Sequence, residues 1–508
     1  MFGTLRTRRG SRGLAALLLA LIPASASADT TRTPWAAAGP IKDMAVPAGA
    51  VRVPVGAEIQ TVVDRHPPGT VYMLQTGIHR LQQIVPKAGD TILGESGAIL
   101  NGSRLLRSFS KAGNLFIATG QWPHPGTRRS GECQAGFPRC DYPQDLYING
   151  RPLRAVSSRS EVGPGTWHFD YSAGRVSIAT EPAGSVVELS YLPFAIGGKA
   201  AGVTVRNLVV ENYASTNQEA AINHRGAGSN WLVVNNEVRW NHGYGIVLGS
   251  GNRVLSNKVH HNGQLGIGGG QSRGLRVEGN EIAFNVWNGV NCEWECGGAK
   301  WGAVQDLVVS GNWVHNNAGV GLWTDVSVFN ALFEGNLVEN NQLAGISHEI
   351  SHDAVIRNNV LCGNGKETFL WGWQAQIQVQ NSTNTQVYGN RLVLDPILGG
   401  NGITVIEQDR GLQHASRNVH VYGNTVEMQG GDGTLAGWFA DHNAAAFKGN
   451  NNWFDRNTYH TPVSPITPDG RLWMANKPTD FSAWRASGED RAGVNTGLVV
   501  GKCTPGVV

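Results

Sequence analysis

Residues 319–359 read GVGLWTDVSVFNALFEGNLVENNQLAGISHEISHDAVIRNN, and one pattern occurs in them twice: an apolar strand ending in an acid, then a Gly-Asn or Asn-Asn turn. Superposing Gly321 on Gly345 places Leu322 over Ile346, Trp323 over Ser347, Thr324 over His348 and Asp325 over Glu349. Two acids thus share one position of two successive repeats. Downstream, the same frame aligns Ile377 with Ile346 and Gln380 with Glu349. Upstream, counting from Gly245, Gly266 and Gly289, it aligns Gly249, Gly270 and Glu293 with Asp325.

The turn asparagines Asn207, Asn236, Asn257, Asn280, Asn312, Asn336, Asn359, Asn390 and Asn424 are spaced by 29, 21, 23, 32, 24, 23, 31 and 34 residues. Self-similarity at such a period marks a repeat architecture. Each unit holds short runs such as LVVNNEV, RVLSNKV and DLVVSGNWV, divided by Gly and Asn with no room for a helix. One coil of short strands per repeat predicts an all-β fold, a right-handed parallel β-helix. The asparagines are read as structural: at turns they tolerate left-handed backbone, and between coils their amides stack in ladders.

Working outward, residues 1–28 carry Arg6, Arg8, Arg9 and Arg12, an apolar run and Ala26-Ser27-Ala28, the pattern of a secretory signal with a small-residue cleavage site. The chain's formal charge is +3, so removing four arginines and no acid leaves about −1. That balance offers no footprint for nucleic acid, and no other run is long and apolar enough to span a membrane. Residues 29–102 read as an N-terminal cap and the first coils, with AEIQTVVDR as a short helix covering the open end. Between 103 and 195 the period is lost. NLFIATG, DLYINGRPLRAV, GTWHFDYSAGRVSIAT and SVVELSYL suggest antiparallel hairpins with turns at Asn149-Gly150 and Ala173-Gly174, hence a small β-sandwich inserted in the solenoid. Coils resume over 196–460, with loops expected at 292–305, 362–374 and 399–417. Residues 461–508 form a Pro-rich, aromatic tail expected to pack on the last coils.

An exported chain can form disulfides, and six cysteines permit 15 pairings. Cys133 with Cys140 and Cys292 with Cys296 would close small loops, and Cys362 with Cys503 would pin the tail. A zinc site fits poorly, because the spacing is wrong and no His is interleaved.

Strand alternation turns the acid column into chemistry. With Leu322 and Ile346 inward, Trp323, Ser347, Asp325 and Glu349 face outward, whereas His348 aligns with interior positions. Strands stack ~4.8 Å apart, which sets the two carboxyls roughly 5 Å from each other, near the separation of a retaining glycosidase. Like charges that close push one carboxyl toward the protonated form, the form a general acid needs. Solvated surface acids or a calcium site are the plainer alternatives. An outward Trp323 argues for a sugar, whose ring offers it a flat apolar partner. Glu293, two coils from Glu349, would lie roughly 9.6 Å away, close to the inverting range, with Asp325 between them holding a water. Glu293 and Glu295 could equally line a sugar subsite.

The segment GLWTDVSVFNALFEGNLVENNQLAGISHEISHDAVIRNN resembles the catalytic coils of β-helical glycoside hydrolases, most nearly the family 120 β-xylosidases, which carry a GxWxD-type strand, an Asn-rich turn and an E-x-x-H strand one coil later. The resemblance implies Asp325 as nucleophile, Glu349 as general acid/base and His352 near the acid or a sugar hydroxyl. It also implies a β-sandwich inserted into the solenoid. Gln380, next in the column, with Trp294 and Trp371 from neighbouring loops, completes the expected sugar-binding set. The expected partner is an oligo- or polysaccharide. No motif implies a cofactor, and oligomeric state is not legible.

Two rivals remain open. A polysaccharide lyase or epimerase would need a base, and calcium or an arginine at the uronate carboxyl. Lys300, Lys366, Arg357 and Arg410 are the nearest cations, and all four are expected in loops or turns away from the column. A non-catalytic glycan-binding solenoid would use the tryptophans at 287, 294, 301, 323, 371 and 373 for stacking.

Overall fold

The computed structural model describes residues 34–42, 44–224, 228–366, 371–395, 397, 399–428, 432–441, 449–461 and 471–497. The leader-like residues 1–28 and Cys503 lie outside them. The helix expected at the N-terminal end spans Ile59–Arg65 and buries Ile59 and Val63 against the first coils.

Beyond it the chain winds into a right-handed parallel β-helix. The strands nearest the acid column are β1 (Leu265–Glu278), β2 (Gly297–Ser310), β3 (Val320–Asp325), β4 (Phe329–Glu334), β5 (Ile346–Glu349), β6 (His352–Arg357), β7 (Ala375–Gln380) and β8 (Gly399–Glu407). One face stacks β1, β2, β3, β5, β7 and β8 in parallel. A second face continues around the corner with β2, β4 and β6. A separate 13-stranded sheet closes the coil. Inward positions stack like on like: Leu322, Ile346, Ile377 and Ile403 are almost fully buried in one column. Each such side chain contributes about 1.5–3 kcal/mol of burial, so the solenoid is held by repetition of one small contact.

Asparagine ladders run along two corners. In the first, each side-chain amide donates to the next coil's Oδ1: Asn236 to Asn257 at 3.0 Å, Asn257 to Asn280 at 3.1 Å, Asn280 to Asn312 at 2.9 Å, and onward through Asn336, Asn359, Asn390, Asn424 and Asn457 to Asp490. The second, absent from the sequence reading, links Asn241, Asn262, Asn285, Asn317, Asn341 and Asn364 and ends on Gln376. Two details correct the expectation. The left-handed residue is the one before the ladder position, as at Asn235, Ser256, Gly279 and Gly311. Asn207 is itself left-handed and aligns with Asn235, so it stands one residue short of the ladder.

The inserted segment forms an eight-stranded sheet between Ser103 and Ser190. Its hairpins turn at the expected places: Ile148 pairs with Arg151 across Asn149-Gly150, both with positive φ, and Asp170 pairs with Arg175. Leu146, Leu153, Trp167, Phe169, Val176 and Leu189 give it a core of its own. Cys133–Cys140 and Cys292–Cys296 are bonded as expected, and the two disulfides pack together with Val286, Val290 and Trp294, fastening the insertion to the solenoid.

Two expected loops are shorter than the sequence suggested. Residues 297–305 belong to β2, so the projection ends at Cys296; residues 399–407 are β8, leaving only 408–417 as loop. Within 362–374, residues 367–370 fall outside the described residues.

Candidate active site

The site grows from one corner. After each outward residue of the column the chain must turn in the left-handed region: Gln271, Ala303, Val326, Ile350 and Asn381 have φ between 46° and 53°. That shared turn puts the preceding residues, Gly270, Gly302, Asp325, Glu349 and Gln380, at one position of five successive coils. Asp325 and Glu349 are therefore neighbours across adjacent strands, as the frame of residues 319–359 requires. Val326 and Ile350, both β-branched, adopt a conformation such residues rarely accept, and backbone strain of this kind concentrates at functional sites.

Upstream of Asp325 the column differs from the sequence frame. Gly302, not Glu293, aligns with Asp325. Glu293 is exposed in the turn between Cys292 and Cys296, its backbone N–H bonded to Asn291 Oδ1 at 3.1 Å. Anchoring the frame at Gly289 caused the shift; Gly298 over Gly321 gives the observed register. Glu293 therefore does not stack in the column two coils from Glu349, as an inverting pair at that spacing would require.

The corrected register brings in a cation. Lys300 pairs with Trp323 on β3, and its Nζ lies 3.0 Å from Asp325 Oδ2 and 3.6 Å from the centre of the Trp323 ring. Lys300 stands in a strand on the same face as the acids, not in a loop. Arg410, from the segment after β8, reaches within 3.9 Å of Glu349 Oε1, and Gln408 Oε1 accepts from its guanidinium at 3.0 Å. Gln380 completes this side: it is buried, lies next to Glu349 in register and donates to Gln408 Oε1 at 2.7 Å.

The two carboxyls are electrostatically unequal. Asp325 faces Lys300, whereas Glu349 accepts from Trp323 Nε1 at 3.2 Å. Burial, and then the charge of Asp325, raise Glu349 above the usual carboxylate range, against the opposing pull of Arg410, Trp323 and Lys300.

The remaining expected residues spread out. His352 opens β6 around the corner, stacked on Phe329 with centroids 4.7 Å apart and bonded through Nδ1 to Thr383 Oγ1 at 2.7 Å. His348 points inward, bonded through Nδ1 to Thr324 Oγ1 at 2.8 Å, and burial lowers it to about 3. Trp294 packs on the paired disulfides. Trp371 donates to Asn476 Oδ1 at 3.0 Å and sits edge-on to Phe439. Trp301 is fully buried in the solenoid interior. The tryptophans do not form a row.

Beside Asp325 opens a cleft of about 650 Å³, with Gly269, Gly270 and Gly302 among its lining. A Cβ on Gly302 would lie 3.3 Å from the Asp325 carbonyl oxygen, closer than ordinary van der Waals contact, and glycine there leaves that space open. Tyr244, Gln218 and Glu295 also line it, with Gln218 Nε2 donating to Glu295 Oε2 at 2.6 Å. Among the described residues, no group of three His, Cys, Asp or Glu is disposed to hold a metal ion.

A family described as the right-handed beta helix region matches residues 220–392. Among solved structures, XylC in complex with xylose is 13% identical, covering 84% of this chain and 86% of that one at a TM-score of 0.63. The A-module of Azotobacter vinelandii mannuronan C-5 epimerase AlgE6 is 12% identical, covering 87% and 94% at 0.47. A glycoside hydrolase structure is 10% identical, covering 80% and 96% at 0.41. No curated protein matches the sequence.

Proposed function

We propose that this chain is a carbohydrate-active enzyme, a glycoside hydrolase that cleaves with retention of anomeric configuration. The observation that carries the reading is the in-register pair of Asp325 and Glu349 on adjacent strands, with Lys300 on Asp325 and with Glu349 raised toward the protonated state by burial and then by the Asp325 charge. Asp325 attacks the anomeric carbon while Glu349 gives its proton to the leaving oxygen. Glu349 then takes a proton from the water that releases the sugar from Asp325. Lys300 and Trp323 act as positioning residues: the ammonium holds Asp325 and covers one face of the Trp323 ring, and the indole N–H holds Glu349.

The cleft flanking Asp325 suits a saccharide laid across its glycines, with Gln218, Tyr244 and Glu295 offering hydroxyl partners. Likeness of fold to XylC, whose structure is a complex with xylose, supports a sugar substrate. The two disulfides and the leader-like residues 1–28 support action outside the cytoplasm.

A polysaccharide lyase or epimerase is the second reading, favoured by Lys300 and Arg410 beside the acids. Such an enzyme would use the lysine as base and the arginine against a uronate carboxyl. Proton NMR of the first-formed product separates them. A retained anomer supports the double displacement; an inverted anomer or a 4,5-unsaturated uronate rejects it.

A further inference from the structure

Away from the carboxyl pair, a cavity of about 230 Å³ lies where the inserted sheet meets the solenoid. Phe137, Arg139 and Arg154 line it from the insertion, and His242, Trp287 and Asn288 from the coils. A cavity of ~150 Å³ accepts a benzene-sized molecule, so this one has room for a single ring with its substituents and too little for an oligosaccharide.

Its polar groups are unevenly matched. Asp145 is balanced: His242 Nδ1 lies 3.0 Å from its Oδ2, and His242 Nε2 lies 2.9 Å from the Cys140 carbonyl. Both ring nitrogens face oxygen acceptors, an arrangement that favours the doubly protonated ring. Burial opposes that charge, but Asp145 and the carbonyl outweigh it and raise His242. The arginines, by contrast, meet only neutral groups among the described residues. Arg139 donates to Ser157 O at 2.8 Å and stacks on Tyr142, and Arg154 donates to Gly136 O at 3.0 Å. A guanidinium has five N–H donors, so one carbonyl bond on each arginine leaves most of them available to an anion.

Two more groups lack partners. Trp287 Nε1 and Asn288 Oδ1 are buried without a hydrogen bond. Asn288 is 7% exposed, and its Nδ2 is spent on the His242 carbonyl at 3.3 Å, which leaves Oδ1 as an acceptor in want of a donor. Buried polar atoms in folded proteins are rarely left unbonded. Taken together, the cavity offers two cationic forks, one N–H donor and one carbonyl acceptor around a space the size of one ring.

We propose that this junction cavity is a binding site for a hydroxylated ring acid of monosaccharide size, a uronic acid or the uronate end of a glycan, with its carboxylate on Arg139 and Arg154 and a hydroxyl on Asn288 Oδ1. Trp287 Nε1 donates to a ring or hydroxyl oxygen. The site is independent of the chemistry assigned to Asp325 and Glu349. It would hold acidic glycan ends at the insertion while the cleft works elsewhere on the chain.

The test uses full-length protein carrying Asp325→Asn, so that no turnover intrudes. Binding of galacturonate, galactose and a galacturonate trimer is measured by calorimetry and saturation-transfer NMR. Saturable galacturonate binding, with galactose at least about tenfold weaker, is expected. Arg154→Gln at the exposed rim and Trp287→Phe should each weaken galacturonate about tenfold, the loss of one hydrogen bond to a charged or buried partner. Trimer binding equal to that of the free acid identifies a chain end as ligand; exclusion of the trimer identifies the free acid. Absence of saturable binding, or binding indifferent to both variants, overturns the proposal.

Discussion

Lys300 Nζ sits 3.0 Å from Asp325 Oδ2, one coil below the aspartate and directly over the Trp323 ring. The acid column is thus an ion-paired column, with the ammonium on Asp325 and the indole N–H on Glu349. The contact sets a cation on one carboxyl, while burial and the neighbouring Asp325 raise the other.

If Lys300 only positions Asp325, Lys300→Gln should lower kcat/KM roughly tenfold, the worth of one charge-assisted hydrogen bond. Asp325→Asn should remove turnover altogether. Steady-state kinetics on the cleaved glycan provide the comparison, and equal, complete losses would make Lys300 the base of an elimination.

Burial and then Asp325 raise Glu349, and the general acid must be protonated, so activity should fall as pH rises through its folded pKa. Arg410 pulls the other way, so Arg410→Gln should move the alkaline limb of kcat/KM to higher pH. An unmoved limb would remove Glu349 from the role of acid.

The same shift has a stability consequence. A carboxyl raised in the folded state stabilises below its unfolded pKa, and that contribution is lost as pH rises through the folded value. Glu349→Gln should therefore have a higher Tm than wild type at neutral pH and match it in acid, while turnover falls by about 10²–10⁴. Thermal scans across pH measure the difference.

Asn312 sits mid-ladder. It receives Asn280 N and Nδ2 at 2.9 Å each and gives Nδ2 to Val277 O at 2.8 Å and Asn336 Oδ1 at 2.9 Å. Truncation strands several buried polar groups, so Asn312→Ala should destabilise by about 3–5 kcal/mol in chemical denaturation. A loss under about 1 kcal/mol would show that the ladder is not a source of stability.

Val326 holds φ at 52° while 53% exposed, so it strains the backbone and gains little from burial. Val326→Asn should raise stability by about 1 kcal/mol. A lower Tm would mean that the valine packs against something in solution.

Much of this was legible in the sequence because stacked coils repeat one environment. The column of Leu322, Ile346 and Ile377, the pairing of Asp325 with Glu349 and the first asparagine ladder all follow from a periodic pattern. Legibility failed where the period broke. Between Gly289 and Gly298 the chain leaves the coil to carry the Cys292–Cys296 disulfide, so counting from Gly289 set Glu293 where Gly302 stands and hid Lys300. Arg410 reaches the site from a segment after β8 that no repeat constrains. The cavity at the insertion was invisible for a different reason: Arg139, Arg154 and Asn288 meet only through the docking of two units.

The most direct test incubates the protein, Asp325→Asn and Glu349→Gln with a panel of neutral and acidic glycans, following reducing ends together with the ultraviolet absorbance of unsaturated uronates. The account predicts reducing ends without that absorbance, lost in both variants. Absorbance that rises with the reducing ends, or turnover that survives Asp325→Asn, contradicts it.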